Sequence, residues 1–286
     1  MWRDGLDRLK KPLRAPYRGL RARYIRCRHG FSEADFRKAL SAVGLSRGDT
    51  VMVHSAMTGF AGFAGDATDI IRILEDTVSA DGALLMPTFT WLGDMEDFIA
   101  TGRVFDPRTT PSQVGLLPEI FRRSAGVVRS VHPTHSIAAW GWDAAWWIHD
   151  HHLAETPCGR GSAFARLLER GAKILLAGVD ITACSFFHCA EELLEAQMPE
   201  SPFTAQRYVL QCRVDGRMVD TAPMRFYDPG MSRRRRTLWL ADAMRRAGRW
   251  REARTGSLNL IGLRVADLLR TLQEMAARGE FCYLPR

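Results

Sequence analysis

The chain has 286 residues, of which 46% are hydrophobic and 25% are charged, and its formal net charge at pH 7 is +8. This composition is typical of a globular protein with a large core and argues against a fibrous or disordered chain. The longest apolar runs are too short to cross a bilayer, and MWRDGLDRLKKPLR lacks the apolar region of a signal peptide. We therefore expect a cytoplasmic protein with no membrane insertion.

Basic residues concentrate in the first 30 residues and in the run SRRRR at 232–236. No aromatic residues interleave with that run, so a solvated or phosphate-facing surface is favoured over nucleic-acid binding. The six cysteines have scattered spacings without a CxxC pair, which argues against a disulfide framework and a thiolate zinc site. We expect no nucleic-acid partner, and the sequence leaves both a monomer and a homodimer open.

In chain order, the pattern predicts a basic arm over 1–30 and then alternating helices and strands. Helices are predicted in SEADFRKALSAVGL, with Ser32 as its cap, and in DATDIIRILEDTVS, and buried strands in DTVMVHS and GALLMPTFT. The alternation continues with a helix in PSQVGLLPEIFRRS, a strand in SIAAWG, helices in DAAWWIHDHH and SAFARLLERG, and a strand in AKILLAGVD. It predicts an α/β fold in which helices cover both faces of a largely parallel central sheet.

Beyond residue 205 the pattern changes. Two β-rich runs on either side of Asp215 and Gly216 predict an added antiparallel β-hairpin near 205–222. The run RRRR is predicted to open a helical stretch that continues to ADAMRRAGR, and RVADLLRTLQEMAARG is predicted to be an amphipathic helix that stops at Gly279. No internal repeat or low-complexity linker divides the chain, so we expect a single domain over 31–286.

The residues next to the predicted strands are the first candidates for function, because ligands of open α/β sheets lie at the carboxyl ends of the strands. The loop HSAMTGFAGFAGDAT follows the first strand and suits a phosphate, although an ordinary tight turn explains its glycines equally well. Thr88 and Thr90 follow the second strand. His132 and His135 precede the third and reach the same edge only if their loop folds over it.

The stretch SFFHCAEE follows the strand AKILLAGVD after a short loop. His188 and Glu191 are three positions apart and so lie on one face of a helix, which is the geometry of an oriented general base. An ordinary histidine at the start of a surface helix explains the stretch equally well.

Two other chemistries are open at this point. The segments HDHH at 149–152 and HPTH at 132–135 suggest a metal-dependent hydrolase, but no helix-borne HExxH is present and HPTH precedes a strand, so we expect no metal. A covalent intermediate on Cys184 or Cys189 is the second. A non-enzymatic module that binds nucleotide phosphates or nucleic acid through the basic face is a further alternative.

Five blocks of the sequence, in this order, resemble the aminoglycoside 3-N-acetyltransferase family: DTVMVHSAMTGFAGFAGDATDII, LLMPTFT, FDPRTTPSQVGLLPEIFRRSAGVVRSVHPTHSIAAWG, CGRGSAFARLLERGAKILLAGV and SFFHCAEE. The resemblance covers residues from about 31 to 240. It implies a three-layer α/β/α sandwich, acetyl-coenzyme A (acetyl-CoA) as donor and an amino group on a sugar-like acceptor.

Acetyl transfer from a thioester to an amine needs a base, hydrogen-bond donors for the carbonyl oxygen and a clamp for the donor's phosphates. Together with the resemblance, this requirement makes His188 the expected base, oriented by either Glu191 or Asp228. Thr88 or Thr90 is expected to polarise the thioester carbonyl or to bond the departing sulfur. The expected donor-binding residues, helped by the RRRR run, are His54, Ser55, Ala56, Met57, Thr58, Gly59, Thr110, Ser112 and Arg129.

A polycationic acceptor requires carboxylates in its pocket. The expected acceptor-binding residues are Thr90, Asp94, Glu192, His132 and His135. The tryptophan-rich AAWGWDAAWW and the apolar ITACSFF depart from what such an acceptor requires. The acceptor is therefore either an aminoglycoside or a non-antibiotic amine such as another amino sugar.

Overall fold

The structure is a computed structural model that describes residues 24–285, apart from residue 26. Most of the basic arm predicted over 1–30 lies outside the described residues. The described strands are β1 (Thr50–Ser55), β2 (Ala83–Pro87), β3 (Val128–Arg129), β4 (Ile137–Gly141), β5 (Lys173–Ala177), β6 (Phe203–Tyr208), β7 (Gln211–Val214), β8 (Arg217–Asp220), β9 (Met224–Tyr227), β10 (Arg251–Thr255) and β11 (Leu258–Arg264).

The described helices are α1 (Glu33–Ala42), α2 (Ala67–Val78), α3 (Met95–Ala100), α4 (Leu116–Phe121), α5 (Ala144–Ile148), α6 (Ala163–Glu169), α7 (Phe186–Leu193), α8 (Pro229–Arg234), α9 (Leu238–Arg246) and α10 (Val265–Ala276). None of these helices is both long enough and apolar enough to span a membrane.

A seven-stranded sheet has the strand order β10-β11-β5-β1-β2-β4-β3. Its central strand β1 pairs in parallel with β2 on one side and with β5 on the other. The outer strands β11, β10, β4 and β3 pair antiparallel to their neighbours. The predicted parallel pairing therefore forms the centre of the sheet, and the complete sheet is mixed.

Helices cover both faces of this sheet. Val51 and Val53 of β1 belong to one buried cluster with α1, α2 and α4, in which Phe36 and Ile70 are fully buried. Met52 lies between them in the strand and belongs to the opposite cluster, with α5, α6, α7, α9 and α10. Because successive side chains of a strand point to opposite faces, one buried strand serves both cores. The predicted α/β class and three-layer α/β/α sandwich are confirmed.

Helix starts agree with the sequence at two places and differ at a third. Ser32 caps α1 and Asp66 caps α2, each in a capping box with the acidic residue three positions later. Gly115, whose φ is 124°, caps α4, so this helix begins later than PSQVGLLPEIFRRS predicts. Ser112 precedes the helix, and its N–H donates to Oε2 of Glu119 at 2.8 Å.

The run SRRRR at 232–236 closes one helix instead of opening another. α8 ends at Arg234, and Arg235 has a ψ of 138°, which lies outside the helical region. α9 begins separately at Leu238. The prediction of one continuous helical stretch is wrong, because the backbone leaves the helical conformation at Arg235. The break also turns the Arg235 side chain toward α7.

Hairpins extend the structure beyond the sandwich. The predicted β7–β8 hairpin is confirmed, and Asp215 and Gly216 at its turn have φ angles of 48° and 80°, as a type I′ turn requires. β6 and β9 pair beside it as a second antiparallel ribbon. The hairpin of β10 and β11, which turns at Gly256 and extends the central sheet, was not predicted.

One edge of the sheet collects the candidate residues. The parallel strands β5, β1 and β2 end at this edge, and β4 begins there because it runs antiparallel to β2, with Ile137 opposite Pro87. The segment before β4 therefore reaches the edge that the other strands reach with their carboxyl ends. This topology brings His132 and His135 to the edge without requiring a long loop over the sheet.

Candidate active site

A cavity of about 250 Å³ opens at this edge. Its walls come from the segment after β2, the segment before β4, α7, the end of β9 and the region of α8. The side chains that matter most for chemistry are Trp91, Asp94, His135, His188, Tyr227, Arg233 and Arg235. Elements far apart in the sequence thus contribute to one open cavity of a size suited to a small group.

His188 and Glu191 form the predicted pair on one face of α7. The Nδ1 atom of His188 lies 3.0 Å from Oε2 of Glu191. The Glu191 side chain is 3% exposed, whereas that of His188 is 21% exposed and borders the cavity. Since Nδ1 meets the carboxylate, Nε2 is the ring nitrogen available to a molecule in the cavity. Of the two carboxylates that the sequence suggested, Glu191 is therefore the one in contact with His188.

Burial disfavours the charged forms of both groups. It raises the pKa of Glu191 to about 8, against a smaller lowering influence of Arg235. It lowers the pKa of His188 well below its usual value, and the positive charge of Arg235 and the nearby His135 act in the same direction. These influences favour the neutral form of His188, which is the form that a general base requires.

One aromatic and one cationic side chain contact the pair of His188 and Glu191. The ring of Tyr227 lies against that of His188, with centroids 4.2 Å apart and planes inclined by 37°. Arg235 brings Nη2 to 3.9 Å from Oε2 of Glu191. The imidazole thus has an aromatic ring on one side and a carboxylate at Nδ1, and the carboxylate has a cation beside it.

The predicted acceptor residues Asp94 and His135 border the same cavity as His188. Asp94 also caps α3, accepting a hydrogen bond from the N–H of Glu96 at 2.8 Å. His135 is buried, with Nδ1 2.8 Å from the hydroxyl of Thr134, and burial lowers its pKa to about 3. Asp94 and His135, both predicted from the sequence, therefore lie at the cavity, although each also has a structural role.

Thr88 and Arg129 lie in a buried polar network away from the cavity. The Arg129 guanidinium donates to the Thr88 hydroxyl at 3.1 Å and to the Thr88 carbonyl at 2.7 Å. It also donates to the carbonyl oxygens of Pro107 and Thr110. Thr88 is fully buried and its hydroxyl is further bonded to Ser136. The structure therefore does not support Thr88 as the carbonyl-polarising hydroxyl or Arg129 as a phosphate ligand.

Thr90 and Thr110 line a different cavity of about 200 Å³, together with Arg103 and Gln113. The Thr90 hydroxyl donates to the carbonyl oxygen of Pro133. The Thr110 hydroxyl accepts from the N–H of Asp106 at 2.9 Å. Neither threonine borders the cavity of His188, so the predicted roles of Thr90 beside the base are not supported.

His132 belongs to the protein interior. It is fully buried, its Nδ1 accepts the N–H of His135 at 2.9 Å, and its ring packs on His151 at 4.4 Å between centroids. Within the residues that the structure describes, no three histidine, cysteine or acidic side chains form an arrangement that could hold a metal ion. His132 and His151 thus serve packing, and the metal-dependent hydrolase gains no support from the described residues.

The other two predicted carboxylates also lie outside the cavity. Asp228 caps α8, accepting the N–H of Met231 at 2.7 Å, whereas the carboxylate seen at His188 is that of Glu191. Glu192 lies on another face of α7 from His188, where it accepts a hydrogen bond from the Thr156 hydroxyl. Both residues make hydrogen bonds that stabilise the fold, and neither borders the cavity.

The predicted donor loop follows β1. The Nε2 atom of His54 and the hydroxyl of Ser55 are buried without a hydrogen-bond partner among the described residues, and burial lowers the pKa of His54 to about 4. Thr58 is exposed, and Ala56 and Met57 are partly exposed. The backbone of Gly59 packs so closely on Gly178 that an added Cβ would lie 2.8 Å from its Cα.

Gly62 and Gly65, later in this loop, have structural explanations. The N–H of Gly62 donates to the Ser257 hydroxyl at 3.0 Å, and an added Cβ would lie 2.1 Å from the carbonyl oxygen of His29. At Gly65 an added Cβ would meet Asp69 and Phe63 side-chain atoms. The loop therefore needs its glycines for close packing, which favours the tight-turn interpretation over a phosphate cradle at these positions.

The sequence did not predict Trp91 or Tyr227 as residues of the site, and it predicted Arg235 only as part of a basic run that assists donor binding. Trp91 comes directly after the threonines of PTFTW, and Tyr227 precedes the predicted candidate Asp228. The sequence therefore indicated the neighbourhood of both residues. Which neighbour faces the cavity depends on contacts with distant elements.

Known proteins resemble this chain over most of its length. A profile of the family described as aminoglycoside 3-N-acetyltransferase matches residues 52–277. Aminoglycoside N(3)-acetyltransferase VII of Streptomyces paromomycinus is 36% identical over 171 residues, which cover 55% of this chain and 59% of that protein. Aminoglycoside N(3)-acetyltransferase VIII of Streptomyces fradiae is 34% identical over 194 residues, covering 63% and 66%. The match thus spans less than two thirds of either relative's length.

Solved structures resemble the fold. Aminoglycoside acetyltransferase AAC(3)-Xa superposes with a TM-score of 0.79 at 27% identity, covering 92% of this chain and 99% of that one. AAC-IIIb, solved as a binary complex with CoASH, gives a TM-score of 0.74 at 22% identity, covering 89% and 99%. The second likeness concerns the fold alone. With the profile matching more than half of its residues, the chain belongs to the aminoglycoside 3-N-acetyltransferase family.

Proposed function

We propose that this protein transfers the acetyl group of acetyl-CoA to an amino group of an aminoglycoside or another amino-sugar-containing acceptor, with His188 as general base. The observation that carries the proposal is the pair of His188 and Glu191 at the cavity, with Nδ1 and Oε2 3.0 Å apart. Family membership supports the reaction class, and the relatives' names supply the acceptor class.

The reaction needs one proton to move from the amine to the departing sulfur. Nε2 of His188 takes the proton as the amine nitrogen attacks the thioester carbonyl carbon and the new C–N bond forms. The C–S bond then breaks, and the imidazolium returns the proton to the thiolate of coenzyme A. Glu191 at Nδ1 keeps the ring in the required tautomer and stabilises the transient imidazolium.

The end of β1 is the region we propose for the donor. Buried polar atoms in proteins normally have a hydrogen-bond partner, so the unpaired hydroxyl of Ser55 and Nε2 of His54 suit a polar ligand. An added Cβ on Gly115 would lie 4.0 Å from the carbonyl oxygen of Ser55, so the segment holding Ser112 runs beside this strand end. These observations support donor contacts from Ser55 and the loop that follows it.

Direct transfer is favoured over a covalent cysteine intermediate. Cys184 and Cys189 are both buried, and burial raises the pKa of each thiol to about 12. The thiolate is the nucleophilic form, and it is scarcely populated at such a pKa. An acetylated enzyme thiol is therefore not expected during turnover.

The test is a thiol-release assay with acetyl-CoA and a panel of aminoglycosides, simple amino sugars and other primary amines. Thiol release with an aminoglycoside or a simple amino sugar, lost in His188→Ala, supports the full proposal. Release only with unrelated amines assigns the alternative acceptor class, a non-antibiotic amine. If no amine elicits release above the hydrolysis background while acetyl-CoA binds, the acetyltransferase proposal is wrong.

A further inference from the structure

The C-terminal segment 281–285 lies against the arginine segment 234–236. The N–H of Leu284 donates to the carbonyl oxygen of Arg234 at 2.9 Å, and the N–H of Arg236 donates to that of Cys282 at 2.7 Å. These bonds form an antiparallel bridge that pairs Arg235 with Tyr283. The chain end is thus attached to the segment that carries the cation of the active site.

The side chain of Arg235 is held from several directions. Its Nε lies 3.3 Å from the Tyr283 hydroxyl, and its guanidinium lies 5.8 Å from the ring centroids of both Tyr283 and Phe187. Its Nη2 lies 3.9 Å from Oε2 of Glu191. The Tyr283 hydroxyl is therefore one bond away from the cation that faces the carboxylate of the pair.

Glu191 has few other charged neighbours. The titratable side chains that face it or lie within its electrostatic reach are His188 on its own helix, Arg235, Tyr227 at the end of β9, Cys158 ahead of α6, and Glu280, Cys282 and Tyr283 of the C-terminal region. Glu280 is paired with Arg278 at 2.9 Å. Within the described residues, Arg235 is thus the cation within ion-pair distance of Glu191.

We propose that Tyr283 is a positioning residue, whose hydroxyl holds Arg235 against Glu191 so that the C-terminal segment sets the proton affinity of the His188 and Glu191 pair. The inference rests on the proposed function only in that the pair serves as the base. It adds a segment that is about 90 residues away in the sequence to the acid–base machinery.

The direction of the effect follows from the sign of the charge. A nearby cation favours the ionised carboxylate and disfavours the imidazolium, so Arg235 lowers the pKa of Glu191 and of His188. Loss of the Tyr283 hydroxyl frees the guanidinium to move toward solvent, which weakens both influences. The pKa at which the pair of His188 and Glu191 loses its last proton should then rise.

The deciding measurement is the NMR titration of the His188 ring, using protein with labelled histidine and His188→Gln to assign the signal. In Tyr283→Phe, which keeps the ring and nearly the same volume, we expect the midpoint to rise by roughly half a unit to one unit. Tyr283→Leu, which also removes the ring, should raise it further. Tyr208→Phe, a tyrosine on β6, is the matched control and should leave the midpoint unchanged.

A double-mutant cycle separates positioning from a general effect on the fold. Arg235→Gln should raise the midpoint at least as far as Tyr283→Phe, and the two changes together should raise it no further than Arg235→Gln alone. An unchanged midpoint in Tyr283→Phe, or an additional shift in the double variant, overturns the proposal.

Activity provides an independent readout. If an acceptor is found, the rising limb of kcat against pH should move upward in Tyr283→Phe by the same amount as the NMR midpoint. If no amine is acetylated, the proposed function fails while the titration still decides whether Tyr283 positions Arg235. An acetylating enzyme whose NMR midpoint and kcat limb ignore Tyr283 retains its function and refutes the inference.

Discussion

At the scale of single residues, His188 and Glu191 combine two properties that oppose each other. Glu191 is almost completely buried, which disfavours its negative charge, whereas a base at His188 needs that charge at Nδ1. Arg235 at 3.9 Å reduces the conflict without removing it. The pKa of Glu191, at about 8, therefore lies close to neutral pH, which suits a pair that exchanges protons in acid–base catalysis.

The first prediction concerns His188→Gln. Glutamine fills similar space and can hydrogen-bond Glu191, but it has no nitrogen that can take a proton from an amine. We expect kcat to fall about 10²–10⁴-fold, which is the usual contribution of a general base, with little change in the affinity for coenzyme A. Stopped-flow thiol release and calorimetric titration with coenzyme A measure the two quantities, and near-normal turnover would exclude His188 as the base.

The second prediction is a pH dependence. The active form has Glu191 ionised and Nε2 of His188 unprotonated, and the raised pKa of Glu191 is about 8. Since this form is gained as the pH rises through that pKa, kcat should increase from pH 6 to a plateau above about 9. In Glu191→Gln the carboxyl no longer titrates, so the limb near pH 8 should disappear and kcat should be low throughout. A limb retained in Glu191→Gln would assign it to another group.

These residues also mark the limit of sequence reasoning. The spacing of His188 and Glu191 predicts their contact because both lie on one helix, where local geometry is fixed. The buried environment of Thr88 was not predictable, because it depends on Arg129, which lies 41 positions further along the chain. Local patterns do not show whether a hydroxyl after a strand faces a cavity or an internal guanidinium.

At the scale of elements, buried strands and capped helices were predictable, whereas pairing direction was not. Ser32 and Asp66 mark helix starts through their own side chains. β4 has the apolar composition of a buried strand, yet it runs antiparallel to β2, and nothing within SIAAWG encodes that direction. The edge that collects the site depends on this pairing, so the position of His135 could be predicted only conditionally.

The third prediction compares two glycines of the loop after β1. An added Cβ at Gly62 would lie 2.1 Å from the backbone carbonyl oxygen of His29, which cannot move independently, whereas at Gly65 the nearest atoms are the ends of Asp69 and Phe63 side chains. Gly62→Ala should therefore reduce the free energy of unfolding by about 1–3 kcal/mol, and Gly65→Ala by less. Denaturant titrations measure both.

The same variants test what the loop does for the donor. If the glycines serve packing, Gly62→Ala should weaken acetyl-CoA and S-acetylpantetheine, which lacks the nucleotide, by the same factor. A loss confined to acetyl-CoA would instead restore the phosphate cradle that the loop composition first suggested. The Gly65→Ala variant controls for changes in the loop that do not disturb its backbone.

At the scale of the whole molecule, the layered sandwich was predictable because the alternation of elements and the two-sided burial of β1 follow from composition and periodicity. The mixed sheet, the β10–β11 extension and the contact of the C-terminal segment with Arg235 depend on long-range pairing. A single domain over 31–286, a cytoplasmic location and a monomeric or homodimeric state remain predictions.

The fourth prediction follows from the charge of the chain and of its proposed donor. The formal net charge is +8, and Arg233 and Arg235 line the cavity. Acetyl-CoA is anionic, so electrostatic attraction should accelerate its association, and salt screens that attraction as the Debye length falls from about 10 Å at 0.1 M to about 3 Å at 1 M.

We therefore expect kcat/KM for acetyl-CoA to fall steadily as sodium chloride is raised over this range, and kcat/KM for the uncharged S-acetylpantetheine to change little. Arg233→Gln should flatten the slope for acetyl-CoA, whereas a matched change at Arg47, which is paired with Asp81 at 2.6 Å on the exposed surface, should not. Equal salt slopes for the two donors would show that the phosphates do not meet the basic wall of the cavity. The attraction of acetyl-CoA would then have to come from the net charge alone or from residues elsewhere in the chain.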